Sequence, residues 1–124
     1  MSIVLFEEFL QKWTDEYGDP DVAGEFAWLH AYSPYHHVME HAEYPAVLFT
    51  TAEGDSRVDP MHARKMAAML TWASSSQDRQ PILLRQSGRS GHGQGKPANM
   101  RVRDEADVLS FFCWQLGVEA MPAG

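Results

Sequence analysis

Tyr44-Pro45-Ala46-Val47-Leu48-Phe49-Thr50-Thr51 is a continuous run of apolar and β-branched residues, not an alternating one. A strand that faces water on one side alternates, whereas one covered on both faces, as in a parallel sheet, need not. Pro45 suits the first position of such a strand, where no ladder amide is required. Pro81-Ile82-Leu83-Leu84-Arg85 has the same character and reads as a second buried strand. Between the two, Asp59 is a helix cap and Pro60 a first-turn residue. Met61, Lys65, Met66, Met69, Leu70 and Trp72 run along the helix they open, and Ser74 to Asp78 is a polar link. A helical crossover between two strands makes them parallel and neighbouring.

Outward from this unit, Val102, Ala106, Leu109, Phe112, Cys113 and Leu116 recur at helical spacing and predict a closing helix over 102–116. In front of it, Leu5, Phe6, Phe9, Leu10 and Trp13 predict an amphipathic helix over 3–13, stopped by Gly18-Asp19-Pro20. Residues 23–32 predict a second short helix, ended by Ser33-Pro34, and residues 35–43 are polar and irregular. The fold class is α/β: two parallel strands with flanking helices, in the order strand–helix–strand–helix, within one domain spanning 1–124. Two strands alone do not make a stable sheet. The edge beside Pro45–Thr51 is therefore expected to be completed by another chain, most simply as a homo-oligomer.

Composition narrows the function. The 124 residues hold enough chain for one domain, and an apolar fraction of 44% with four tryptophans indicates a globular one. A net charge of −7 disfavours nucleic acid, whose phosphates would find nothing to neutralise them. No apolar run approaches the roughly 20 residues that span a bilayer, which argues against a membrane. The single Cys113 leaves no internal disulfide to form and fits the reducing cytoplasm. On the apolar stripe of its helix, that cysteine reads as a small core residue.

Two loops follow the two strands: Glu53-Gly54-Asp55-Ser56-Arg57-Val58 and Ser90-Gly91-His92-Gly93-Gln94-Gly95. An acid and then a histidine, offered from successive strand ends, are two members of a Ser-His-Asp triad in the chain order of α/β-hydrolases. The glycines on either side of His92 let the loop bend and bring the ring to a surface cleft. No Gly-x-Ser-x-Gly nucleophile elbow is present. Gly88-Arg89-Ser90-Gly91-His92 comes nearest, but His stands at its last position and the strand–turn–helix context is missing. His37 and His41 have i,i+4 spacing, yet their segment is irregular and no cysteine or suitably spaced carboxylate completes a zinc set. No metal and no cofactor is expected.

Several stretches, taken together and in order, resemble the C-terminal part of the prolyl oligopeptidase family's α/β-hydrolase catalytic domain. They are Trp13 to Pro20, Tyr32-Ser33-Pro34-Tyr35-His36, Tyr44 to Leu48, Asp55 to Lys65, and Gly91-His92-Gly93-Gln94-Gly95-Lys96-Pro97. The resemblance implies that Asp55 is the triad acid and His92 the base. It also implies that Arg57 holds substrate carbonyl groups, and that Trp13, Tyr17 and Val58 form the proline-selective pocket. From the residues alone, Arg57 reads equally as a surface partner of Asp55 or Asp59, and Trp13 and Tyr17 as core packing. The family's propeller, nucleophile elbow and oxyanion tyrosine have no counterpart in these 124 residues.

The leading expectation is a serine hydrolase acting on small peptides or esters, represented by the acid/base end of its triad. A second reading is a small stand-alone esterase with Ser90 as a repurposed nucleophile in an oligomeric site. A third is a non-catalytic assembling module.

Overall fold

The computed structural model describes residues 14–55, 58–88 and 97–119. The helix expected over 3–13 lies outside them. The chain divides into two compact units, one up to Val38 and one from Met39 onward.

In the first unit, α1 (Thr14–Tyr17) stops at Gly18, whose φ of +106° is open to glycine and strained for other residues. The Gly18 N–H donates to Thr14 O at 2.9 Å, and the Glu25 carboxylate receives the Asp19 N–H at 2.6 Å. Helix α2 (Ala23–Tyr32) has the expected bounds. Its end follows from Pro34, which holds Ser33 extended and prevents another turn. A 3-10 turn over Pro34–His37 folds back, so that the His36 ring lies 4.9 Å from His30, centroid to centroid. His37 Nε2 donates to Ala31 O at 2.8 Å, and Ser33 Oγ lies 2.7 Å from His36 Nδ1.

The second unit is built on β1 (Val47–Ala52) and β2 (Ile82–Ser87), paired in parallel from Val47↔Ile82 to Ala52↔Ser87. Pro45 falls before the first strand, not at its first position, and both strands run past their expected ends. The crossover is α3 (Pro60–Ala73), where Asp59 Oδ1 accepts the Met61 N–H at 2.7 Å and Pro60 opens the helix. Its buried stripe is Ala67, Leu70 and Ala73, while Trp72 stays 63% exposed. Met61, Met66 and Met69 flank this stripe half-buried.

The link after α3 is more than a polar connector. Ser76 is 1% exposed and donates to Tyr44 O at 2.9 Å, while the Ser75 N–H reaches Ala42 O at 3.0 Å. Gln80 Oε1 accepts the Ala46 N–H at 2.8 Å. These bonds tie the chain entering β1 to the chain entering β2, which aligns the strands at their first residues.

Helix α4 (Ala98–Leu116) begins four residues before the predicted start and ends at Gly117, in the left-handed region at φ 64°. The Val118 N–H closes the end on Cys113 O at 2.9 Å. Its rotation corrects the predicted stripe. Phe111 is buried and Asp104 and Val108 are half-buried, whereas Val102, Leu109, Phe112 and Leu116 are exposed. The cause is Arg85 on β2. Its Nε donates to Asp107 at 2.6 Å and its Nη2 to Asp104 at 2.7 Å, and these two carboxylates turn the helix toward the sheet. Asp107's hydrogen bond, with Asp104's charge and hydrogen bond, raises the guanidinium pKa above its ordinary value against the opposing effect of burial.

Neighbouring side chains on a strand point to opposite faces. Arg85 meets α4, while Gln86 accepts from Arg64 Nε of α3 at 3.2 Å, so the two helices cover opposite faces of the sheet. Among the described residues the result is a helix–sheet–helix layering with a two-stranded centre. None of the helices among the described residues is long and apolar enough to cross a membrane.

Arg85→Ala removes the hydrogen bonds to Asp104 and Asp107, and a urea melt should show a loss of about 1.5–3 kcal/mol. Because Arg85's pKa is raised, its contribution is complete below the unfolded arginine value. It fades only above that, so this residue adds no slope to stability across the neutral range. Asp59→Ala should cost about 1 kcal/mol in the same assay through the lost cap.

Candidate functional site

A parallel pair puts both strand C-termini at one end of the sheet, where α/β proteins gather their functional groups. Here that end is closed by the Glu53 N–H donating to Ser87 O at 3.1 Å. Ser87, 7% exposed, also donates from Oγ to Thr51 O at 3.4 Å. Beyond this clasp both strands release their following loops from the same place.

Asp55 stands three residues past β1 and is half-buried. The turn Glu53-Gly54 is held by the Asp55 N–H donating to Ala52 O at 3.2 Å. Asp55 Oδ1 then accepts the Val58 N–H at 3.0 Å, which ties the carboxylate to a backbone amide three residues on. The turn-forming and acid readings of Asp55 are therefore compatible. The carboxylate is oriented by the turn it makes. Asp59, the other acid near Arg57, is committed to the cap of α3.

Val58 is 49% exposed directly after this turn. Tyr17 belongs to the first unit, on α1, and is 55% exposed. Trp13, Arg57, Ser90 and His92 lie outside the described residues. Among the described residues no group of three or more histidine, cysteine or acidic side chains could hold a metal ion.

The sequence did not reveal a cleft of about 490 Å3 between the sheet and α4, lined by Leu48, Leu83, Phe111 and Trp114 with Arg85 and Asp107 at its side. A signal for it exists. An arginine inside a buried-strand pattern requires acids, and Asp104 and Asp107 stand one helical turn apart. Those two residues, not the apolar spacing, identify the face of α4 that meets the strands.

Comparison with known proteins covers nearly the whole chain. The family model of the prolyl oligopeptidase family matches residues 2–119. The dual function macrocyclase-peptidase POPB of Amanita bisporigera is 40% identical over 121 residues, covering 95% of this chain. Prolyl oligopeptidase A of the same organism is 33% identical over 120 residues, again 95% of this chain. The chain spans 16% of the length of each of these two relatives. A solved structure of prolyl oligopeptidase B from Galerina marginata, bound to a 35mer hydrolysis and macrocyclization substrate, superposes with a TM-score of 0.79 at 38% identity. That match covers 90% of this chain and 15% of the other. The two parallel strands and their helices are thus part of an α/β-hydrolase fold, and the chain belongs to the prolyl oligopeptidase family.

Proposed function

We propose that the chain provides the acid and base of a serine hydrolase of prolyl oligopeptidase type, acting on small peptides or esters. We read residues 1–124 as one piece of that catalytic domain and the cytoplasm as its compartment. In this reading His92 takes the proton of an attacking serine and later gives it to the leaving group. Asp55 holds the imidazole in the required tautomer and stabilises the imidazolium. Arg57 binds substrate carbonyl groups, and Trp13, Tyr17 and Val58 line the proline pocket. The serine and its oxyanion donors belong to the larger part of the domain, since this chain corresponds to only 16% of the curated relatives. The observation that carries the proposal is the half-buried Asp55, its Oδ1 accepting the Val58 N–H just past the C-terminal end of β1.

The test separates Asp55's charge from its turn. Asn retains the Oδ1 acceptor, so Asp55→Asn should unfold at the same urea midpoint as the parent, while Asp55→Ala should lose about 1 kcal/mol. Removing a triad serine costs on the order of 10⁶-fold in kcat. The chain alone should accordingly show no measurable cleavage of a Gly-Pro p-nitroanilide peptide. Its residual turnover of a p-nitrophenyl ester should fall in Asp55→Asn and His92→Ala. Ester turnover unchanged in both variants sinks the acid/base assignment. A loss in Ser90→Ala as well as in both of these variants moves the nucleophile into this chain and makes it a small esterase.

A further inference from the structure

Glu25 stands in the first turn of α2, half-buried. A glutamate at that position commonly reaches back to the amide of its own N-cap residue. Here it reaches farther. Its Oε2 accepts the Asp19 N–H at 2.6 Å, beyond the Val22 cap, at the length of a charge-assisted bond. The stem of the same side chain lies against Gly18, where a Cβ would stand 3.4 Å from that of Glu25. Gly18, at φ +106°, has no side chain to limit its rotation and is the swivel between α1 and α2. Tyr17 turns with α1 about that swivel, since the Gly18 N–H is bonded to Thr14 O. Beyond it, Asp19 O accepts the Val22 N–H at 3.1 Å and Asp19 Oδ1 the Asp21 N–H at 2.8 Å. Those two bonds lie wholly after the glycine and leave its ψ unconstrained. The Asp19 amide, by contrast, belongs to the planar peptide unit that follows Gly18, so the Glu25 bond fixes that rotation.

We infer that Glu25 is a positioning residue for proline selectivity: by holding the Gly18–Asp19 peptide plane, it sets the direction in which α1 presents Tyr17. The inference rests on the pocket reading of Trp13, Tyr17 and Val58 above. Tyr17 is 55% exposed, so its direction follows the backbone that carries it. A pocket that distinguishes a proline ring from a linear side chain needs its aromatic wall placed to about 0.5 Å. Glu25 also suits the positive end of α2, where an acid stabilises a helix. The two roles make different demands on the side chain. Positioning needs reach and an acceptor, whereas the helix end needs only a negative charge.

The experiment titrates the full chain with benzyloxycarbonyl-Gly-Pro and with benzyloxycarbonyl-Gly-Ala, followed by amide NMR, and measures hydrogen exchange at Asp19 in the free protein. The parent should bind the Gly-Pro peptide more tightly. Glu25→Gln keeps the reach and an acceptor, so its preference should stay within about threefold of the parent's. Glu25→Asp keeps the charge but is one methylene short, and both it and Glu25→Ala should lose about tenfold in preference. Exchange at Asp19 should quicken by about tenfold in those two variants and hold steady in Glu25→Gln. A preference that survives in Glu25→Asp, or is lost in Glu25→Gln, overturns the inference while leaving the pocket itself standing. Quickened exchange at Asp19 with the preference intact does the same. A parent that binds the two peptides alike rejects the pocket reading of Tyr17, and the role of Glu25 falls with it.

Discussion

Parallel pairing of β1 with β2 is the constraint on which the rest of the second unit depends. An antiparallel pair would send the loops after the two strands to opposite ends of the sheet, with Asp55 far from anything following Ser87. In the parallel register the Glu53–Ser87 bond brings both exits together. That arrangement requires a long crossover, and α3 provides it. It also requires the strands to start in register, which the bonds from Ser75, Ser76 and Gln80 to Ala42, Tyr44 and Ala46 secure. The end that carries Asp55 is aligned from the opposite end of the sheet.

The second constraint is electrostatic. A guanidinium on a strand covered by a helix cannot remain unpaired, because a desolvated charge without a partner is costly. Arg85 therefore selects the face of α4 that carries Asp104 and Asp107. That choice leaves Val102, Leu109, Phe112 and Leu116 on the outside. The helix faces the sheet through the carboxylates that Arg85 needs, with Phe111 packed beside them.

The parts legible in the sequence are those governed by local chemistry. Pro34 after Ser33 and Asp59 with Pro60 act through dihedral restriction and capping, and the corresponding helix ends fall as read. The two strands were legible from their unbroken apolar composition, and their parallel order from the helix between them. What escaped depended on contacts distant in sequence. The rotation of α4 is decided by a residue 19 positions before Asp104. The burial of Ser76 is decided by a carbonyl 32 positions before it. Serines in a short polar stretch look like a solvated link until that carbonyl is known.

The same distinction explains why Asp55 could be read in two ways. Turn preference and catalytic geometry both favour an aspartate just after a strand, and residue type alone does not choose between them. The structure removes the need to choose, because the bond from the Val58 N–H that makes the turn also limits the carboxylate's rotation. In the proposed triad, an acid that orients an imidazole benefits from being held itself. The short side chain of Asp suits this bond to the Val58 amide, whereas Glu would carry its oxygens one methylene farther from its own backbone. The preference for Asp at this position thus follows from local backbone geometry before any partner histidine is considered.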